Sequence, residues 1–267
     1  MIERLLQLPL VKTLYAVRFE RAFARDWVGA FRGVYRDFAE ARASAPATKP
    51  VGYDHDGPAG MYKERFDRIF PADYPVAFWL DRALRDGARE VFDLGGHVGL
   101  LFYGFRRYLT YPEGFRWNVL DVATVVRAGA ELAELKGVAG TLTFTERFQD
   151  AASADVLLAS GSLQYIEQPS FAESVASLAR KPRYILINKT PLTESEGFVT
   201  LQNIGTAFCA YQIFNASLFI GSIEALGYRL RDRWENADVG CRLPLTPERN
   251  VDRYTGLLFE RSEGPSH

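Results

Sequence analysis

The sequence predicts an α/β fold, a mostly parallel sheet flanked by helices. Three observations point to it. From residue 88 onward, short apolar runs alternate with stretches of helical spacing, and such alternation builds parallel sheets covered on both faces. The first run, VFDL at 91–94, opens into GGHVG at 95–99, a glycine turn where a buried strand hands over to a helix. The composition, 48% hydrophobic and 24% charged over 267 residues, supports a sizeable core. The length suits one large α/β domain with an extension, or two small domains.

Taken in order, residues 1–45 are predicted helical. Leu5, Leu8, Val11, Leu14, Tyr15, Phe19 and Phe23 recur at three- and four-residue spacings, with Arg18, Arg21 and Arg25 between them. ASAPATKP at 43–50 reads as a linker. The chain is therefore divided into a helical N-terminal extension, 1–50, and a main domain, 51–267. In the main domain REVFDL (89–94) is a strand, 98–108 a helix, and RWNVLD (116–121) a second strand. VATVVRAGAELAELKG (122–137) is a helix with Gly137 placed as its C-terminal cap. TLTFTE (141–146), ADVLLAS (154–160) and RYILIN (183–188) are the next strands, with a helix at 170–180 between the last two. Residues 197–227 read as largely helical. YRLRDRWE (228–235) and DRYTGLLFE (252–260) complete seven strands.

Bulk properties exclude several functions. A net charge of −1 argues against nucleic acid, whose binders carry a basic excess, and leaves a small-molecule or protein partner. Cys209 and Cys241 fit no CxxC or metal-ligand spacing, so no metal is expected, and a reduced, cytoplasmic pair is the plainer reading. The apolar stretch Leu5–Val11 is broken by Pro9 and ended by Lys12. No run approaches the ~20 residues a membrane-spanning helix needs. The basic amphipathic helices of the extension permit peripheral contact with an anionic membrane. Packing on the main domain or on a second subunit, in a homo-oligomer, is the plainer reading, because Glu3, Glu20 and Asp26 dilute the positive face.

The glycine turn limits the ligand. A dinucleotide loop, G-x-G-x-x-G from Gly95, requires glycine at 97 and 100, where His97 and Leu100 stand. A phosphate loop spanning Gly99 and Gly104 requires Lys and Ser/Thr next, where Phe105 and Arg106 stand. Ser160 and Ser162 form no nucleophile elbow, since G-x-S-x-G is absent. What survives is Asp-x-Gly-x-x-x-Gly: Asp93, Gly95 and Gly99. An acid on the loop repels a pyrophosphate and welcomes a cationic or amino-bearing ligand. Asp121, ending the second strand, is placed to accept ribose hydroxyls.

These residues carry a resemblance. VFDLGGHVG with WNVLD resembles the first two motifs of the class I S-adenosylmethionine-dependent methyltransferases, which usually read D-x-G-x-G-x-G before a strand ending in Asp or Glu. DVLLASGSLQYIEQP, LINKTPL and FVTLQNIG are similar to a little-characterised family of bacterial methyltransferases often associated with surface-polysaccharide gene clusters. The resemblance implies a Rossmann-like methyltransferase fold over roughly residues 51–260 with S-adenosylmethionine as cofactor. It implies that Asp93, Gly95, Gly96 and Gly99 hold the cofactor's methionine end and Asp121 its ribose. Glu146 would lie near the adenine, and Ser160 and Gly161 along the cofactor floor. Leu163, Gln164, Tyr165 and Lys189 would face the acceptor, and GYD at 52–54 would close over the cofactor.

His97 departs from the family pattern by replacing the middle glycine. It is either a base beside the transferred methyl or a side chain turned away, with only its backbone lining the loop. Asp54 and His55 are the other candidate bases. Bland alternatives accompany each assignment: Asp93 satisfying turn donors, Asp121 capping a helix, Gln164 and Tyr165 packing, and Lys189 a solvated strand-end charge. The stripe Phe208, Tyr211, Phe214, Leu218 and Phe219 is read as core, lid or subunit interface. The leading function is methyl transfer to an oxygen or nitrogen of a small molecule such as a sugar or glycan precursor. The alternatives are a non-catalytic, methyltransferase-like binding or assembly protein and, disfavoured by the glycine pattern, an NAD-dependent oxidoreductase.

Overall fold

The structure is a computed structural model and describes residues 9–52, 66 and 68–261. Helix α1 (Pro9–Ala24) leads to strand β1 (Phe31–Tyr35) and the short helix α2 (Phe38–Ala43). Helix α3 (Tyr74–Arg85) precedes β2 (Glu90–Leu94), α4 (Leu100–Phe105) and β3 (Arg116–Leu120). Then come α5 (Ala123–Leu135), β4 (Leu142–Thr145), β5 (Val156–Ser160), α6 (Phe171–Ala176) and β6 (Tyr184–Thr190). The two-residue β7 (Leu192–Thr193), β8 (Phe198–Asn203) and β9 (Phe208–Asn215) follow, then α7 (Ala216–Glu224), β10 (Tyr228–Asn236) and β11 (Tyr254–Arg261).

Seven strands form one sheet in the order β10-β11-β6-β5-β2-β3-β4. The five from β4 to β6 are mutually parallel, and β11 runs antiparallel between β6 and β10. The apolar runs read as strands because both faces of this sheet are covered. Alternate residues serve opposite layers. Val91, Leu158, Leu186 and Leu258 pack with Leu80 of α3 and Phe102 and Phe105 of α4. Phe92, Leu157, Ile185, Leu257 and Phe259 pack with Val175 of α6 and Ile223 of α7. Burying each such side chain contributes about 1.5–3 kcal/mol relative to exposure. Helix α3 starts with Pro75 in its first turn and buries Val76, Leu80, Ala83 and Leu84, the stripe of a core-facing helix. Gly137, just past α5, has φ +65°, as its predicted capping position requires.

The seven strands, their positions and the mostly parallel sheet match the prediction, but two segments differ from it. The first is the extension, expected to be helical throughout 1–45. It contains β1, which pairs antiparallel with β8; residues 1–8 of it lie outside the described residues. The second is 197–227. Its first part is an antiparallel hairpin of β8 and β9, and only 216–224 is helical. Its strands are buried on both faces, so no period-two alternation reached the sequence. Together β1, β8, β9 and β7 make a second, four-stranded sheet. Phe19 and Phe23 of α1 pack on it against Leu201 and Phe208. Phe31, Phe198, Tyr211 and Ile213 pack with Cys241 and Tyr254. Val51 bridges to Phe208, so the predicted linker runs directly onto this sheet.

Candidate functional site

Strand β2 is flanked by β3 on one side and β5 on the other. Chain order reverses there, and such a switch point leaves a crevice at the carboxyl ends of the strands. A cleft of about 920 Å³ occupies that position. The tips of β2, β3 and β5 form its floor, and residues of the second sheet form its far wall.

The loop after β2 is shaped by close approach. A Cβ on Gly96 would stand 2.3 Å from Asp93 Oδ2, and one on Gly95 2.4 Å from Ser162 Cβ. Only glycine leaves room at either position. The Gly95 N–H donates to the Leu120 carbonyl at 2.7 Å, tying the loop to β3. His97 has φ 55°, the left-handed region that costs most L-residues about 1–2 kcal/mol and histidine less than most. Its backbone N–H donates to Asp121 Oδ2 at 2.9 Å, and the residue is 5% exposed.

Asp93 is 1% exposed. Burial pushes its carboxyl up to about 7; the Trp117 indole N–H, donating to Oδ2 at 3.1 Å, opposes the rise, and the neighbouring Asp121 charge adds to it. Asp121 is also raised by burial, against the pull of the Val122 and His97 N–H groups, which donate to its Oδ1 and Oδ2. Each oxygen of Asp121 keeps a lone pair for a ligand. The pair is therefore a site whose negative charge is costly until a donor or cation faces it.

The opposite half of the cleft is aromatic and amide-lined. Tyr165 donates from its hydroxyl to Gln202 Oε1 at 2.7 Å, and Tyr211 from its hydroxyl to the Tyr254 hydroxyl oxygen at 2.8 Å. The Phe31 and Tyr165 rings meet the Tyr211 ring edge-on at 5.0 and 5.1 Å between centroids. Lys189, at the end of β6 with φ 53°, forms an ion pair with Asp73, which is 1% exposed. Asn188 anchors the same strand tip. Its amide donates to Ala72 O and Ser160 Oγ, and its Oδ1 accepts from Trp234 Nε1 and Asn236 Nδ2.

Eleven of the sequence-predicted cofactor, acceptor and base residues line this one cleft: Asp93, Gly95, Gly96, His97, Asp121, Glu146, Ser160, Gly161, Gln164, Tyr165 and Lys189. Gly99 does not; it caps α4, where a Cβ would press on Leu142 at 2.8 Å. Leu163 faces the core at 2% exposure, beside Phe92 and Leu157, rather than an acceptor. Asp54 and His55 lie outside the described residues, as does the GYD segment beyond Gly52. Sequence reasoning missed Phe31, Gln202, Asp238 and Tyr254, which also line the cleft. Phe31 and Gln202 reach it through the misread second sheet and Asp238 through the segment after β10, while Tyr254 opens the correctly read β11; no local motif announced any of them. Tyr211, read as core, lid or interface, lines the cleft while buried. Among the described residues, no cluster of His, Cys, Asp and Glu is arranged to hold a metal ion.

No protein-family model matches the sequence, and no curated protein matches it significantly. Several solved structures resemble it in backbone. The 1,6-didemethyltoxoflavin-N1-methyltransferase of Burkholderia thailandensis, solved with S-adenosylhomocysteine, is 18% identical over 72% of this chain and 79% of its own, with a TM-score of 0.49. An O-methyltransferase family protein from the same organism is 20% identical over 72% of this chain and 57% of its own, at 0.46. The magnesium protoporphyrin IX methyltransferase of Synechocystis PCC 6803, solved with S-adenosylhomocysteine, is 14% identical over 71% and 81%, at 0.45. The chain spans little more than half of the second of these proteins. What those proteins bind is their own property, and the case for this chain rests on its own cleft.

Proposed function

We propose that this chain is an S-adenosylmethionine-dependent methyltransferase acting on an oxygen or nitrogen of a small molecule. The observation that carries the reading is the meeting of Asp93 and Asp121 at neighbouring strand tips, on one cleft, under a loop that only glycine can form. Two carboxyls raised by burial suit a ligand that brings positive charge and hydroxyl donors, and they oppose a pyrophosphate. The residues therefore fit the cofactor. Asp93 and the Gly95–Gly96 backbone hold its amino-acid end, Asp121 its ribose, and Glu146, exposed just past β4, lies on the adenine side. Ser160 and Gly161 form the floor beneath.

When bound, S-adenosylmethionine supplies a methyl group already activated on a sulfonium. The protein's own task is alignment, which supplies about 7–11 kcal/mol when reacting groups are held in line. Gln164, Tyr165 and Lys189 hold the acceptor. His97 stands as the base that takes the acceptor's hydroxyl proton at an imidazole nitrogen, a role worth about 10²–10⁴-fold. A sugar or glycan precursor is the acceptor that the sequence resemblance names. A cytoplasmic setting, the division into a 1–50 extension and a 51–267 domain, and self-association or peripheral membrane contact through that extension belong to the same reading. No described helix is long and apolar enough to cross a membrane.

Calorimetry of the full chain with S-adenosylhomocysteine tests the proposal. Binding that Asp93→Asn and Asp121→Asn each weaken is expected. A folded protein that binds neither S-adenosylhomocysteine nor S-adenosylmethionine overturns it. Cofactor binding without methyl release to any acceptor in a broad panel would favour the non-catalytic alternative.

A further inference from the structure

The acceptor half of the cleft carries one unmet group. Gln164 is 3% exposed, lines the cleft, and its side-chain carbonyl oxygen has no hydrogen-bond partner in the protein. A buried acceptor oxygen left unmet costs about 1–3 kcal/mol, so its place on a ligand-sized cleft marks where a donor from the ligand belongs. Phe31, Tyr165, Tyr211 and Tyr254 line the same cleft; the Tyr165 hydroxyl donates to Gln202 Oε1, and the Tyr211 hydroxyl donates to the Tyr254 hydroxyl oxygen. The Tyr165 and Tyr211 hydroxyl protons are engaged in these bonds, which leaves ring faces and edges, with the Tyr254 hydroxyl, to contact the ligand.

Charge narrows the ligand further. Among the described residues, no arginine and a single lysine line the cleft, and that lysine, Lys189, is paired with the buried Asp73. Asp238 stands exposed at the same end. Phosphate recognition draws on bidentate arginine or a cluster of donors, and the described lining supplies neither.

We infer that the acceptor is an uncharged, phosphate-free aromatic compound whose hydroxyl or ring N–H donates to Gln164 Oε1 inside the Phe31–Tyr165–Tyr211–Tyr254 enclosure. The inference rests on the methyltransferase reading and narrows it. The inference replaces the sugar or glycan precursor named by the sequence resemblance: such an acceptor, free or carried on a nucleotide or lipid phosphate, falls outside the class.

The test uses the full chain saturated with S-adenosylhomocysteine, titrated with naphthol as the aromatic probe and with UDP-glucose as the phosphate-bearing one. Naphthol is expected to bind and UDP-glucose not to. Gln164→Leu is expected to weaken naphthol by about tenfold or more, to leave S-adenosylhomocysteine affinity unchanged, and to raise the ligand-free melting temperature, because the variant no longer buries an unmet oxygen. Naphthol failing to bind the cofactor-loaded protein, naphthol binding Gln164→Leu as tightly as the parent, or UDP-glucose binding in its place each overturns the inference. Failure of S-adenosylhomocysteine itself to bind overturns the methyltransferase reading instead, so the two failures are distinguishable.

Discussion

Asp93 shows how a single side chain ties stability to ligand binding. In the folded chain, burial favours its neutral form up to about pH 7, whereas the unfolded chain ionises it near 3.8. Asp93's contribution to the stability of the unliganded protein is therefore lost as pH rises from about 4 to 7 and levels off above that. Asp93→Asn is expected to flatten this slope in urea denaturation followed across that range. A ligand bringing positive charge favours the ionised carboxyl. Binding of S-adenosylmethionine at pH 6 is therefore expected to release protons, seen by calorimetry in two buffers of different ionisation enthalpy, and Asp93→Asn is expected to release fewer. Lys189 makes a second case. Removing one member of a buried ion pair strands the other, at about 3 kcal/mol, so Lys189→Met is expected to lower the urea midpoint. Adding Asp73→Asn to it is expected to cost less than the two single losses combined. Asp93, Gly95, Gly96 and Asp121 were legible from sequence because motif spacing and strand ends encode them locally. Gly99 kept its glycine for packing on Leu142 rather than for the cleft, a distinction that spacing does not carry.

At the scale of elements, the parallel strands were readable because burial on both faces gives continuous apolar runs. The same double burial hid the β8–β9 hairpin, whose FCAYQIFN resembles a helical stripe when alternation is lost. Strand β1 was hidden differently: FRGVY is short, and it exists only because β8 pairs with it from far along the chain. The β10–β11 hairpin yields a direct test. Gly256 faces Trp234 across the ladder, and a Cβ there would stand 1.9 Å from the indole. The glycine makes room for Trp234, whose N–H donates to Asn188 at the cleft's edge. Gly256→Ala is expected to cost about 1–3 kcal/mol by overpacking, read as a lowered melting temperature.

For the whole molecule, the cleft joins two sheets that share no strand. One supplies the acids and the glycine loop, the other Phe31, Gln202 and Tyr211. Hydrogen exchange is expected to separate the two halves. S-adenosylhomocysteine should slow exchange at 95–97 and 121–122, and naphthol should add protection in β1 and β9. Protection spread evenly by the first ligand would contradict this division. Strand β11 imposes a different constraint. It is the last of the described strands, yet it lies between β6 and β10. A nascent polypeptide emerging from the ribosome thus carries β6 with a bare hydrogen-bonding edge until Tyr254–Arg261 has been synthesised and freed. Through that interval the exposed edge is open to pairing with neighbouring chains, so the protein's yield in cells should depend on chaperone supply more steeply than its finished stability would indicate.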